Sequence, residues 1–281
     1  MAVKLLIDSA SDITKKEAEE LGMYFISEII TFGTKDYLDG DELLASDFYD
    51  KLETLEHPKT SQIVPARFKT EFSKLTEDGS ELVVITMSSK LSGTYLSALN
   101  AKQSFDNVYV VDSLNASLGE RLLCLRAKEL IDQGLSAKEV YEILEEDKYK
   151  INFLAVVNTL EYLKKGGRVS SALAFAGELL SIKPVVSVVD GLVTLIGKPV
   201  GVKKACKFVK NQIDKLDGIN FDMPYGVIYS GHEDSILQKF LKDNEQIFNQ
   251  GGELKKYVLG STIGSHIGPG AFGVAFFDKE K

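Results

Sequence analysis

The sequence predicts an α/β protein of two domains, an N-terminal one built on a parallel sheet and a C-terminal one built on a mixed sheet. Three observations carry this. Short apolar runs, KLLID at 4 to 8, ELVVITM at 81 to 87 and VYVVD at 108 to 112, alternate with amphipathic stretches, the rhythm of parallel strands joined by crossover helices. In the second half, Asp190-Gly191 separates the runs PVVSVV and LVTLIG, a pairing that suits a type I′ hairpin and brings in antiparallel strands. The 281 residues also lie where single cores stop growing, which favours two domains over one.

The elements follow in order. Val3 to Ile7 opens with a strand, and Ile13 to Gly22 continues as a helix. Residues 24 to 60 break the rhythm: YFISEIITFG and the turn Asp39-Gly40-Asp41 read as a small strand-and-turn insertion, followed by a short helix from Phe48 to Leu55. Pro65 suits the first turn of a helix through Leu75, approached by the polar Thr60-Ser61-Gln62. Gly93 to Phe105 and Leu118 to Gly134 are the crossover helices. Ser136 with Glu139 three residues on forms a capping box for a helix to Tyr149, which closes the first domain near residue 150. The expected domains are therefore 1–150 and 151–281. In the second, INFLAVVN is a strand and LEYLKKGG a helix ended by Gly166 and Gly167. The hairpin follows, then a helix from Lys203 to Leu216, the strand YGVIYSG, a helix from Ile236 to Phe248, and the strands ELKKYVLG and AFGVAFF.

Composition narrows the function. With 33 basic against 41 acidic residues and a net charge of −8, the chain lacks the basic surface that coats nucleic acid. No apolar run approaches the roughly 20 residues that span a bilayer, so no integral membrane association is expected. The start of the chain has no secretory pattern, and a cytoplasmic location is expected. Cys124 and Cys206 read as reduced structural thiols. His57, His232 and His266 lack metal-ligand spacing, and Gly191 to Lys198 misses the phosphate-loop pattern, with five residues between its glycines and Pro199 in the hydroxyl position. Neither a metal nor a cofactor is expected.

What remains are polar clusters at the C-terminal ends of strands, where open α/β sheets bind ligands. Asp8-Ser9-Ala10-Ser11-Asp12, Ser88 to Thr94, and Asp112-Ser113 each combine hydroxyls with the start of a helix, which suits an anion; the plainer alternative for each is helix capping. Gly260 to Gly270 holds four glycines in eleven residues and reads as a loop forming one wall of a pocket, with His266 either a ligand partner or a satisfied turn residue. Arg168, after the two glycines, reads locally as a solvated arginine.

Taken together, DSASD at 8 to 12, TSQ at 60 to 62, SSKLSGTY at 88 to 95, LEYLKKGGRV at 160 to 169 and GSTIGSHIGPGAFGVAFF at 260 to 277 resemble the DegV family over essentially the whole chain. The resemblance implies a two-domain fatty-acid-binding protein with the ligand between the domains, and some members are the FakB-type acyl-carrying subunit of bacterial fatty acid kinase. It implies Thr60, Ser61, Ser92 and His266 at the carboxylate of a long-chain fatty acid such as palmitate, with Gly93 and Thr94 completing the serine loop and Arg168 near a surface that meets the kinase. One departure is Ile63-Val64-Pro65, where the family more often has proline directly after T-S-Q. The physics suits such a ligand. Burial gains about 0.8 kcal/mol per methylene, so a chain of roughly sixteen carbons supplies on the order of 10 kcal/mol before ordering costs.

The expected function is thus a non-catalytic carrier that presents the carboxylate to an ATP-dependent kinase for acyl-phosphate formation. The competing reading is a serine hydrolase using Ser92, His266 and a carboxylate such as Asp8, though the G-x-S-x-G elbow is missing.

Overall fold

The apolar runs of the first half fold as expected into parallel strands. In the computed structural model, which describes residues 2–168 and 181–279, β1 (Val3–Asp8), β2 (Tyr24–Ile26), β6 (Glu81–Thr86) and β7 (Val108–Asp112) form a sheet in the order β2-β1-β6-β7, parallel throughout. Alternate residues face opposite sides, and both sides are covered, which is why these strands read as continuous apolar runs. Leu6, Leu82, Val84 and Val110 pack against α3 (Pro65–Thr76) and α4 (Thr94–Lys102). Leu5, Ile7, Val83 and Ile85 pack against α1 (Lys15–Glu20), α5 (Leu118–Asp132) and α6 (Ala137–Asp147). Pro65 occupies the first turn of α3, and both arms of the Ser136–Glu139 capping box are present.

The stretch expected as an insertion divides differently. Tyr24–Ile26 joins the main sheet as its edge strand, and the separate unit begins at residue 29. There β3 (Ile29–Phe32), β4 (Lys35–Leu38) and β5 (Lys59–Ser61) form an antiparallel sheet in the order β4-β3-β5, capped by α2 (Ala45–Thr54) through Ile30, Phe32, Phe48 and Tyr49. Its β3–β4 hairpin turns at Gly33, whose φ is 59°, and the turn expected at Asp39-Gly40-Asp41 follows β4, with Gly40 at φ 70°.

A six-stranded mixed sheet follows, in the order β10-β9-β8-β13-β11-β12: β8 (Ile151–Val156), β9 (Val185–Val189), β10 (Leu192–Gly197), β11 (Tyr225–Tyr229), β12 (Lys256–Val258) and β13 (Phe272–Phe277). Among the described residues, β11 and β12 form its one parallel pair. The β9–β10 turn has φ of 49° at Asp190 and 81° at Gly191, the two positive values a type I′ hairpin needs. One face is covered by α8 (Val202–Lys215), α9 (Ser235–Asp243) and α10 (Glu245–Phe248). The single helix expected over 236 to 248 breaks at Asn244, whose side chain donates to the Phe240 carbonyl at 2.8 Å.

Helix α5 lies between the two large sheets. Its Leu118, Leu122 and Leu123 share one core with Ile7 and Val83 of the first sheet and with Ile228, Ala275 and Phe277 of the second. Among the described residues, the remaining α-helices are α7 (Glu161–Gly166), ended by Gly167 at φ 68°, and α11 (Ser261–Ile267). The latter corrects the loop expected at 260 to 270. Gly264 serves close packing there, since a β-carbon on it would lie 2.7 Å from Phe48 Cε1. Val169 of the LEYLKKGGRV motif lies outside the described residues.

Candidate functional site

A cavity of about 350 Å³ opens between the two large sheets, within the size range of small-molecule sites. Much of its wall is apolar: Phe153 and Ala155 of β8, Val186 and Val188 of β9, Val193 of β10 and Phe272 of β13. Several of its polar groups come from three segments. Strand β5 and the residue after it supply Thr60, Ser61 and Gln62; the turn before α4 supplies Ser92 and Gly93; and the last turn of α11 supplies His266.

These segments are bound to one another. Thr60 Oγ1 lies 3.0 Å from His266 Nε2. Gln62 reaches across to donate to Ser97 Oγ of α4 at 3.1 Å, and Ile63 N donates to Thr94 Oγ1 at 3.3 Å. Ser92 Oγ is 3.0 Å from Thr94 Oγ1. Ile63, directly after the T-S-Q run, is fully buried in the core beside α3. Thr60, Ser61, Ser92, Gly93 and His266 all line the cavity. Thr94 does not: it is buried behind Ser92 and hydrogen-bonded to Glu28.

His266 carries no charge at neutral pH. Burial foremost, then the charge of Arg168 and then His57, holds it down at about 4. A neutral imidazole has one donor and one acceptor nitrogen. Nε2 faces the Thr60 hydroxyl, while Nδ1 has no hydrogen-bond partner among the described residues. The site can therefore offer hydroxyl and imidazole hydrogen-bonding groups to a polar head without placing a cation beside it at His266.

Arg168 is exposed, as its sequence context suggested, and it also lines the cavity. Its Nε donates to the Leu91 carbonyl at 3.2 Å and its Nη1 to the Gly166 carbonyl at 2.7 Å, so it ties the Ser92 turn to the end of α7.

Two of the three clusters at the strand ends serve the fold instead. Asp8 accepts from Ala10 N and Met87 N, both at 2.9 Å, and Asp12 accepts from Gly260 N at 2.8 Å. Asp112 accepts from Ser89 N and Leu114 N, both at 3.1 Å. Neither Asp8–Asp12 nor Asp112–Ser113 lines the cavity. The hydrolase triad is not assembled either. Asp8 is engaged by main-chain amides, Ser92 pairs with Thr94, and His266 pairs with Thr60.

Sequence reasoning missed Gln62 and Glu28 as cavity residues. Gln62 stands inside the TSQ motif, whereas Glu28 lies within YFISEIITFG, where no motif marks it. Among the described residues, no group of His, Cys, Asp and Glu could hold a metal ion, and no helix is long and apolar enough to cross a membrane. Cys124 and Cys206 are both free and buried.

Fold and site together define an α/β protein with an amphipathic cavity between two sheets, hydroxyls and an imidazole on one part of the wall and aliphatic and aromatic side chains on the rest. The chain belongs to the DegV family: residues 2–279 match the family described as "Uncharacterised protein, DegV family". A DegV domain-containing protein of Caldanaerobacter subterraneus subsp. tengcongensis is 31% identical over 283 residues, covering 99% of each chain. A DegV family protein of Thermus thermophilus, whose structure is described by its fatty acid binding, superposes with a TM-score of 0.88 at 32% identity, over 99% of this chain and 100% of that one. DegV of Bacillus subtilis, described as a fatty acid binding protein, does so with a TM-score of 0.85 at 28% identity, over 99% and 100%.

Proposed function

We propose that this protein binds a long-chain fatty acid between two domains that part near residue 150, and presents its carboxylate to a separate kinase for conversion to an acyl phosphate. In this reading Thr60, Ser61, Ser92, Gly93 and His266 meet the carboxylate, Thr94 supports Ser92 from behind, and the apolar wall takes the tail. The observation that carries it is the Thr60–His266 pair beside Ser92 on the wall of an otherwise largely apolar cavity. A carboxylate taken from water is costly unless hydrogen-bonded, and the hydroxyls and imidazole supply those bonds. The fatty-acid-binding descriptions of the relatives in Thermus thermophilus and Bacillus subtilis support the same ligand class.

The protein itself makes no bond in this account. In this reading it acts in the cytoplasm with an ATP-using partner that meets Arg168; the exposure of Arg168 beside the Ser92 turn supports this. Calorimetric titration with palmitate tests the binding. Mixing the loaded protein with a fatty acid kinase and ATP, and measuring acyl phosphate, tests the presentation. A Ser92-dependent ester hydrolysis with real turnover would overturn the carrier reading.

A further inference from the structure

Ser92 is joined to a buried acid through a single hydroxyl. Its Oγ lies 3.0 Å from Thr94 Oγ1, and Thr94 Oγ1 lies 2.9 Å from Glu28 Oε1. Main-chain amides hold the same two hydroxyls: Ile63 N donates to Thr94 Oγ1 at 3.3 Å, and Thr94 N donates to Ser92 Oγ at 3.2 Å. A hydroxyl has one proton and two lone pairs, so the protonation state of Glu28 sets the direction of the whole row.

With Glu28 ionised, Thr94 must donate to it. Ser92 then donates to Thr94, whose lone pairs are filled by the Ile63 amide and the Ser92 hydroxyl. Ser92 keeps only a lone pair for the cavity, which repels a carboxylate. With a proton on Glu28 Oε1 the row reverses. Glu28 donates to Thr94, Thr94 donates to Ser92, and the Ser92 O–H is left free for a ligand.

The surroundings favour the second arrangement. Glu28 lines the cavity yet is only 2% exposed, and its Oε2 has no hydrogen-bond partner among the described residues. A buried oxygen in that position is far cheaper to leave unpaired when neutral than when charged. Among the described residues, the acids that bear on it are Asp8 of β1, Asp39 after β4 and Glu120 of α5, and the cation that does is Arg67 of α3. Arg67 donates to the Ser27 carbonyl at 2.7 Å, and the Thr262 hydroxyl of α11 donates to Asp39 at 2.6 Å. Burial foremost, then Asp8 and Asp39, holds the Glu28 carboxyl well above the usual carboxylate range.

We propose that Glu28 is a positioning residue for the head group: carrying a proton, it turns Thr94 and Ser92 so that Ser92 donates to a ligand carboxylate, and binding an anionic ligand fixes that proton on the protein. The proton comes from solvent and no covalent bond changes. This rests on the reading that a fatty acid carboxylate sits at Ser92.

The test is the pH dependence of palmitate affinity for the parent protein, Glu28→Gln and Thr94→Val, followed to about pH 9. Above the pKa of Glu28 in the empty protein, parent affinity should fall by up to about tenfold per pH unit relative to Glu28→Gln, because one proton must be taken up. In Glu28→Gln an amide donor stands in for the protonated carboxyl at every pH, so that fall disappears. Thr94→Val cuts the row, freeing the Ser92 hydroxyl whatever the state of Glu28, and gives the same flat profile should the first variant not fold. Palmitate's own titration is common to all three. A folded variant that binds palmitate with the parent's slope overturns the relay and leaves the fatty acid site standing. A parent protein that binds no palmitate at any pH overturns both.

Discussion

Gly166 lies against the imidazole of His266: a β-carbon at that position would sit 2.0 Å from Nδ1. The same ring is held on its other side by Thr60, 3.0 Å from Nε2, so the end of α7 and strand β5 together fix its orientation. Gly166→Ala should displace the ring and weaken palmitate binding about tenfold, the loss of roughly one hydrogen bond. The fold should survive, because alanine is otherwise favoured over glycine in a helix by up to about 1 kcal/mol. Calorimetry beside a melting curve checks this, and an unchanged affinity would mean that the ring is not confined.

Ser92→Ala and His266→Ala should each weaken fatty acid retention while leaving the fold intact. Removing one hydrogen-bonding partner from a buried carboxylate costs roughly 1 to 3 kcal/mol. Dissociation constants for palmitate measured on both variants decide it; values equal to the parent's in both would remove the head-group assignment.

Stability should respond to pH in an uncommon direction. Burial, the foremost cause in each, pushes Asp8 up to about 6 and Asp12 to about 7, from an ordinary value of 3.8. Acids raised in the folded state hold protons that the unfolded chain has released, so they lose stability as pH rises from about 4 through their folded values. Glu28 and Glu120, held well above the usual range chiefly by burial, add to the loss at higher pH. His266 acts oppositely, but only as pH falls from 6.5 towards about 4. Between about pH 6.5 and pH 8 the acids decide the sign, and Asp12 alone contributes about 1 kcal/mol of loss. The melting midpoint should therefore drop by about 2 to 4 °C over that interval. A midpoint that rises would contradict the buried-acid account, and Asp12→Asn should reduce the drop.

Much of the fold was legible because local chemistry agreed with tertiary structure. Ser136 and Glu139 announce a capping box, Asp190-Gly191 a turn with two positive φ values, and Pro65 a first helical turn, and each is present. The stretch 260 to 270 was misread because glycine there has two meanings. Gly264 admits the ring of Phe48 and Gly260 approaches the Asp12 carboxylate, so the glycines answer to neighbours over 200 residues away in a helix that local propensity disfavours. Glu28 was invisible for a related reason. Its burial depends on Ser9 after β1, Arg67 of α3 and Thr94 at the start of α4 converging on it and its neighbour Ser27, and no period in YFISEIITFG distinguishes an outward acid from an inward one. The site segments were found through the resemblance, since Thr60, Ser92 and His266 meet only after three separate elements are packed together.

Arg168→Ala should affect the encounter with the kinase more than the lipid. The side chain is exposed and holds the Ser92 turn to the end of α7 through two carbonyls. An exposed charge acts mainly on association with a partner. The variant should keep its fatty acid and support slower acyl-phosphate formation at subsaturating protein. Because Arg168 also lines the cavity, loss of lipid would reassign it to ligand binding, and equal rates would remove it from the partner surface.

The central claim is that the cavity between the sheets is a fatty acid site, and solvent extraction of the purified protein followed by mass spectrometry tests it most directly. The account predicts one straight or branched long-chain fatty acid per protein chain, retained through washing and depleted in Ser92→Ala and His266→Ala. Chemically mixed, substoichiometric lipid removed by a mild wash, in the same amount from the parent and both variants, would contradict it.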